Sequence, residues 1–185
     1  MTKPTLILDV ECYSNYFMVG FLNTATGNLK QFEMYEGEAF NRDAVASILH
    51  KYRTVSFNGN NYDMPMISAA LRGADCAKLK TLSDKIIVNN IKHWNLGIEI
   101  VKCDHVDIFE VAPGMASLKI YGGRLHCKKM QDLPIEPGAT ITAEDRALLR
   151  LYNGNDLTTT KELWDYLQPQ IELREQMSKV YGIDL

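Results

Sequence analysis

The chain has 185 residues, of which 46% are hydrophobic and 23% are charged, and its formal net charge is −3. These values are close to the averages of globular proteins, so we expect one ordered domain of ordinary size. The negative charge argues against a basic protein that coats nucleic acid, but it is compatible with an enzyme that binds nucleic acid at one local site. No apolar run approaches the roughly 20 residues that a membrane helix needs, so we expect no membrane partner.

We expect no signal for export and no zinc or redox site. The start of the sequence leads directly into a strand-like run, without the apolar segment and the cleavage site of a secretory signal. The four cysteines, which have no CxxC spacing, are Cys12, Cys76, Cys103 and Cys127. We therefore expect reduced thiols and a cytoplasmic location.

The first 35 residues predict a three-stranded antiparallel meander. The segment 5–11 is a short apolar run rich in Leu, Ile and Val, which is typical of a buried strand. The segments 16–22 and 29–35 predict two further strands. Between these two, residues 23–28 have the composition of a turn.

The remainder of the chain predicts mostly helices. Helices are predicted at 40–52, 62–71, 76–90, 117–125, 143–167 and 170–181, strands at 53–57 and within 99–108, and a loop at 133–141. We expect Gly122 and Gly123 to interrupt the short helix that contains them. Thr142 is a candidate N-cap, and Asp145 at N3 completes a weaker form of the capping box.

Strands followed by helices that alternate with strands predict one α/β domain with a mixed sheet, which spans 1–185. The last helix, at about 170–182, is either an appendage of this domain or the start of a further region. Pro169 separates it from the helix before it.

Asp9 and Glu11 stand two residues apart near the end of the first predicted strand. In a strand this spacing points both side chains to the same face. Two adjacent carboxylates in a mostly buried strand repel each other and lose hydration. A divalent cation with oxygen ligands, Mg²⁺ or Mn²⁺, would relieve both costs. The alternative is that the strand ends at Leu8 and that both acids are solvated.

Two further acids, Asp63 and Asp156, occupy positions that either a catalytic or a purely structural role can explain. Asp63 follows an Asn- and Gly-rich turn at the start of a predicted helix, where the helix dipole alone favours an acid. Asp156 comes four residues after Tyr152, so both side chains lie on one face of a helix. The alternative for this pair is an exposed acid beside a half-buried tyrosine.

In combination and in this order, these acids resemble the three motifs of the DEDD (DnaQ-like) 3′–5′ exonucleases, in the subgroup that has Tyr in the third motif. The chain is most similar to the proofreading domain of phage family A DNA polymerases. The matching segments are SFNGNNYDMP at 56–65, SLKIYGGRL at 117–125 and YNGNDLTTTK at 152–161. The resemblance covers roughly residues 5–167 and implies a ribonuclease-H-like mixed sheet flanked by helices.

The resemblance also implies a role for each acid. Asp9, Glu11 and Asp156 would ligate one metal ion. Asp9 would bridge to a second ion, which Asp63 would hold partly through water. Tyr152 would orient the attacking water or hydroxide. The two ions, Mg²⁺ or Mn²⁺, would generate the nucleophile and stabilise charge on the phosphate.

Four residues are candidates for substrate binding. Asn58 matches a position that often touches substrate in the family, and an asparagine that closes a turn is the alternative. Tyr13 follows the acid pair, where the family stacks the terminal base. The densest basic stretch comprises Lys119, Arg124, Lys128 and Lys129. It is suited to guide a phosphate backbone, through Lys119 and Arg124 in particular, although a solvated face is the alternative.

The expected function is therefore hydrolysis of the terminal phosphodiester at 3′ ends of single-stranded DNA, with release of nucleoside monophosphates. A DNA polymerase, in the same chain or as a separate protein, is an expected partner. Two alternatives remain open at this point. One is an RNA exonuclease of the same superfamily, since contacts to the 2′-hydroxyl cannot be recognised in the sequence. The other is a non-catalytic domain that binds nucleic acid or a polymerase.

Overall fold

A five-stranded mixed sheet forms the centre of the computed structural model, which describes residues 3–114, 116–127 and 132–182. Its strands are β1 (Thr5–Tyr13), β2 (Tyr16–Asn23), β3 (Leu29–Met34), β4 (Arg53–Ser56) and β5 (His105–Asp107). Their order across the sheet is β3-β2-β1-β4-β5. The first three strands form an antiparallel meander, and β4 and β5 run parallel to β1. The predicted α/β class with a mixed sheet is confirmed.

Helices flank this sheet. They are α1 (Arg42–Lys51), α2 (Asp63–Leu71), α3 (Cys76–Ile87), α4 (Leu118–Arg124), α5 (Ala143–Tyr166) and α6 (Gln168–Tyr181). Short 3₁₀ turns occupy His93–Leu96 and Ile108–Glu110. Among the described residues, no helix combines the length and the apolar character that crossing a membrane requires.

The central strand β1 contributes to a separate hydrophobic core on each face of the sheet. Leu6, Leu8 and Val10 point into the core that α1, α2 and α3 complete. Ile7 points to the opposite face, where it packs with Leu157 of α5. Because both faces are covered, the strand is buried along most of its length, as its run of Leu, Ile and Val predicts.

The pairing of β1 leaves one of its edges open near its end. With β2 the strand pairs as far as Tyr13 opposite Tyr16, but with β4 it pairs only as far as Ile7 opposite Val55. Since β1, β4 and β5 are parallel, their carboxyl ends lie at the same edge of the sheet, where ligand sites of open α/β sheets occur. The acids of β1 and the ends of β4 and β5 therefore meet at this edge.

The predicted interruption of α4 is wrong. The helix continues through Gly122 and Gly123 and ends at Arg124. Tyr121 and Gly122 are buried against the rest of the chain. This tertiary packing offsets the low helix propensity of glycine, which is about 1 kcal/mol per residue.

Several helix boundaries also differ from the prediction, and those of α3 and α6 are examples. α3 ends at Ile87 rather than at residue 90, and Asn90 adopts a left-handed conformation with φ 52°. α6 begins at Gln168, so that Pro169 lies inside its first turn rather than before it. A proline is tolerated there because the first-turn N–H groups have no partner within the helix.

The N-terminus of α5 carries a complete capping box, as the sequence predicts. The hydroxyl of Thr142 accepts the backbone N–H of Asp145 at 3.3 Å, and the carboxylate of Asp145 accepts the backbone N–H of Thr142 at 2.9 Å. These two bonds satisfy donors that the first turn leaves unpaired.

We expect Thr142→Ala to lower the free energy of unfolding by about 1 kcal/mol, because the helix loses its N-cap acceptor. Urea denaturation followed by circular dichroism measures the change. Thr158→Ala is the matched control, since this exposed hydroxyl donates only to the carbonyl of Gly154 in the same helix. We expect the control to change the free energy by less than about 0.5 kcal/mol. Equal losses in both variants would contradict a specific effect of the cap.

Candidate metal centre

Three carboxylates meet where the end of β1 faces α5. One ligand oxygen from each of Asp9, Glu11 and Asp156 lies within 4.8 Å of those of the other two. Asp9 and Glu11 reach this point from one face of β1, and Asp156 reaches it from α5. Three oxygen donors at these separations could hold a metal ion.

A glycine in β2 allows α5 to approach the sheet this closely. Gly20 lies opposite Asp9 in the β1–β2 pairing. A Cβ atom at Gly20 would lie 2.0 Å from the side-chain oxygen of Asn153 and 2.8 Å from the Cδ1 of Leu157. Any other residue would therefore displace the side chains of Asn153 and Leu157, through which α5 packs on the sheet.

Asp63 enters the same cleft from the start of α2, with 4% of the residue exposed. Its carboxylate accepts the backbone N–H of Val10, which is available because β4 stops pairing with β1 at Ile7. Asp63 is not one of the three acids within 4.8 Å of each other. Its negative charge nevertheless contributes to raising the pKa of both Asp9 and Glu11.

Asp107, at the end of β5, fixes the loop that delivers Asp63. Its carboxylate accepts the backbone N–H groups of Asn58 at 2.7 Å, Asn60 at 3.0 Å and Phe109 at 3.0 Å. Asn58 has a φ of 62°, and its side-chain oxygen accepts the amide of Asn61 at 2.8 Å. Asn58 therefore closes the turn, and it also lines the cleft.

Burial is the largest cause of a raised pKa in all three clustered carboxyls. Repulsion from the neighbouring acids raises the pKa of Asp9 and Glu11 further. Among the residues that the structure describes, no cationic side chain forms an ion pair with any of the three. The group therefore needs either protons or a bound cation to balance its charge.

The donor set fits a hard divalent cation. The group consists only of carboxylates, without thiol or imidazole, and hard cations prefer such oxygen ligands. Ligands on opposite sides of a small divalent ion are about 4 Å apart. The observed separations, of up to 4.8 Å, need only small side-chain movements to match this value.

Tyr152 lies one turn before Asp156 on α5, and its hydroxyl interacts with that carboxylate. Burial, and then the charges of the nearby acids, raise the pKa of Tyr152 above its ordinary value of about 10. The phenol therefore keeps its proton at neutral pH. It can donate or accept a hydrogen bond in the cleft, but it cannot act there as a general base.

Asn153 is a residue of the site that the sequence alone does not indicate; it is fully buried and donates to the carboxylate of Asp9 at 2.8 Å. An asparagine in a helix is usually exposed, so its residue type and spacing gave no signal. The nearest available signal was Gly20, a glycine in the middle of a predicted strand, which often marks the close approach of another segment.

The cleft beside the carboxylates has a volume of about 490 Å³. One part of its lining is acidic and includes all four acids and Tyr152. The other polar residues are Asn58, Asn61, Asn90, Lys92 and Tyr62. The apolar residues are Val10, Phe57, Ile86, Ile87, Ile91 and Leu133. The cleft thus offers charge, amide groups and apolar surface side by side.

Tyr13 is not placed where a base could stack on it. It is 2% exposed, and its hydroxyl donates to the carbonyl of Ile135 at 3.2 Å. The residue continues the face of β1 that carries Asp9 and Glu11, but the segment before α5 covers it. Its ring belongs to a small core with Met18, which corrects the expectation of a stacking role.

Of the two basic residues predicted to bind substrate, Lys119 lies near the acids and Arg124 does not line the cleft. Lys119 is close enough for its charge to lower the pKa of Asp156, against the larger effect of burial, and it also pairs with Asp132 at 2.8 Å. Arg124 is exposed above the ring of Tyr121 and does not line the cleft. Residues 128 and 129, which the basic stretch also includes, lie outside the described part of the chain.

We expect these acids to make the metal-free protein less stable as the pH rises. Burial raises the pKa of Asp63 to about 7, against about 3.9 in an unfolded chain. The folded state therefore binds more protons between these values, and stability falls as the pH rises through about 7. Thermal melts should show that Mg²⁺, relative to EDTA, raises the melting temperature more at about pH 8 than at about pH 5.

The matched variant for this measurement is Asp9→Asn, which removes one charge without a change of size. In EDTA at about pH 8 it should melt a few degrees above the wild type, since 1 kcal/mol corresponds to about 2–4 °C in a chain of this length. A wild-type melting temperature in EDTA that stays constant over this pH range would contradict the expectation.

Neither a family model nor a curated protein nor a solved structure matches this chain in comparisons with known proteins. What the chain does must therefore be inferred from the residues of the cleft. The carboxylates, Tyr152 and the amide-rich loop after β4 are the features that limit the possible chemistry.

Proposed function

We propose that this protein is a metal-dependent exonuclease that removes nucleotides from the 3′ end of single-stranded DNA. The observation that carries the proposal is the group of carboxylates formed by buried Glu11 and half-buried Asp9 and Asp156 in an open cleft. Asp63 and Tyr152 line the same cleft, so the five residues of the DEDD pattern with tyrosine lie together. The resemblance in sequence motifs supports the 3′–5′ direction and the DNA substrate.

The topology supports the same proposal. A sheet of order β3-β2-β1-β4-β5, with an antiparallel meander and two parallel strands, is compatible with a ribonuclease-H-like fold. The acid pair lies near the end of the central strand, and the second motif follows the adjacent parallel strand, so both lie at the same edge of the sheet. The third motif lies on the helix that crosses both β1 and β2.

In the proposed reaction the carboxylates would hold the metal ions, and the ions in turn would bind the phosphate. Asp9, Glu11 and Asp156 would bind one Mg²⁺ or Mn²⁺, and Asp63 together with Asp9 would bind a second. When bound, such ions activate water and stabilise charge on the scissile phosphate and the leaving oxygen. Because Asp63 is buried and accepts the N–H of Val10, its carboxylate is already oriented before metal binds.

Tyr152 would position the attacking water rather than deprotonate it. Its raised pKa keeps the phenol protonated, so its hydroxyl is a fixed hydrogen-bonding group at the edge of the acid cluster. Positioning of this kind contributes to the rate by holding the nucleophile in line with the phosphate.

The remainder of the cleft suits the end of a nucleic acid strand. Ile87, Ile91 and Leu133 provide an apolar wall for a base, and Asn61 and Asn90 provide amides for its polar edge. The acidic end would face the phosphate only when cations are bound. This combination favours a single nucleotide at a strand end over a long duplex, and a volume of about 490 Å³ is adequate for it.

Digestion of matched oligonucleotides labelled at the 5′ or the 3′ end tests the proposal. With Mg²⁺ the 3′ label should be released first as a mononucleotide, and the 5′-labelled strand should shorten step by step. EDTA should stop both reactions. An RNA strand that is degraded faster than the DNA strand would favour an RNA exonuclease instead. Binding of both strands without cleavage would indicate a non-catalytic domain.

Asp156→Ala is the loss-of-function variant for this assay. It should lower the rate by about 1,000-fold or more, since loss of metal-based stabilisation costs several kcal/mol and about 1.4 kcal/mol is tenfold in rate. Asp165→Ala is the matched control, because this acid lies on the same helix and, within the described part of the chain, forms an ion pair only with Lys161, at 2.6 Å. Near-normal activity of Asp156→Ala would overturn the assignment of the site.

We expect Tyr152→Phe to lower the rate by only about 10- to 100-fold, because it removes one positioning hydrogen bond and leaves the carboxylates in place. Its affinity for Mn²⁺ should stay close to that of the wild type. Single-turnover rates and Mn²⁺ titrations on this variant and on Asp156→Ala distinguish the two roles. If Tyr152→Phe lost as much Mn²⁺ affinity as Asp156→Ala, the phenol would be a structural support of the metal site.

A further inference from the structure

Asn153 connects the end of β1 that carries the acids to the edge strand β3. Its amide nitrogen donates to Oδ2 of Asp9 at 2.8 Å, and its amide oxygen accepts the side-chain nitrogen of Gln31 on β3 at 3.0 Å. The residue has no exposed surface. A polar side chain in such a position persists only when its hydrogen bonds are made.

Gln31 determines which end of the Asn153 amide faces Asp9. The nitrogen of the Gln31 amide also donates to the backbone carbonyl of Arg150 at 2.9 Å, which fixes it as a donor at this place. Only the oxygen of Asn153 can accept from it, so the amide nitrogen of Asn153 must point to Asp9.

The backbone of β2 leaves room for this arrangement at one residue. A Cβ atom at Gly20 would lie 2.0 Å from the amide oxygen of Asn153. Gly20 is the direct partner of Asp9 in the pairing of β1 with β2. The amide therefore fills a niche whose shape and polarity match it, between the strand that carries Asp9 and the strand that carries Gln31.

We infer that Asn153 is a positioning residue for the carboxylate of Asp9, and that Gln31 holds Asn153 in the required orientation. The bond to Oδ2 restricts rotation of the Asp9 carboxylate and directs it toward Glu11 and Asp156. Since the amide is neutral, it orients this carboxylate without replacing the cation that the group needs. The inference rests on the proposed function only in that the acid cluster binds divalent cations.

Binding of Mn²⁺ to the full chain, measured by calorimetry and by the electron paramagnetic resonance of free Mn²⁺, tests this inference. Asn153→Ala should weaken Mn²⁺ binding by about 10-fold or more, as is typical when a residue that orients a metal ligand is removed. Gln31→Met keeps the size of residue 31 but removes the amide that donates to Asn153. It should therefore also weaken Mn²⁺ binding, by a smaller factor than Asn153→Ala.

Thr160→Ala is the matched control for a merely structural effect. Thr160 is 2% exposed and lies about two turns further along the same face of α5. Its substitution disturbs the same helix but no contact of Asp9, so Mn²⁺ affinity should change by less than about twofold. Thermal melts in EDTA identify variants that fail to fold, and Gln31→Met decides the outcome if Asn153→Ala is one of them.

The outcomes separate this inference from the proposed function. Unchanged Mn²⁺ affinity in folded Asn153→Ala, or equal losses in Asn153→Ala and Thr160→Ala, would overturn the positioning role. Neither result would contradict the proposed nuclease function. A wild type that binds Mn²⁺ but cleaves no strand would overturn the proposed function, and the Mn²⁺ affinities of the variants would still decide the role of Asn153. A wild type that binds no Mn²⁺ would overturn both.

Discussion

Carboxylates that are buried together raise the free energy of a folded chain, because each loses hydration and repels the others. Asp9, Glu11 and Asp63 share one cleft in this protein, and the pKa of each is raised by burial first and by neighbouring acids second. A cluster of this kind persists only when the surrounding structure holds it. Here the support comes from the two cores on the opposite faces of β1, which keep the strand in place.

The acids are oriented by neutral groups rather than by cations. The pairs are Asp9 with the amide of Asn153, Asp63 with the N–H of Val10, and Asp156 with the hydroxyl of Tyr152. A lysine or arginine in these places would neutralise the acids and compete with a metal ion. Asp107 is likewise oriented by neutral groups, since it accepts three backbone N–H groups and thereby supports the loop that delivers Asp63.

Local patterns were sufficient to predict most elements and the acids, but not the contacts between elements. The period of two in a strand placed Asp9 and Glu11 on one face, and the same period placed Tyr13 there as well. Whether a residue on that face is open or covered depends on the segment before α5, which no local pattern reveals. The role of Asn153 depends likewise on Gly20 and Gln31, which are distant in sequence and meet it only in the folded chain.

The same separation in sequence links metal binding to folding. The clustered acids come from β1 and α5, and Asp63 comes from α2, so the unfolded chain has no comparable site. A cation that binds only the folded state stabilises it in proportion to the logarithm of its concentration relative to the dissociation constant. The repulsion that makes the metal-free cluster costly is the same repulsion that a bound cation removes. In the proposed reaction, stability and function would therefore be coupled at the end of β1, because the ion that would activate water there would also offset the free energy cost of burying the acids that bind it.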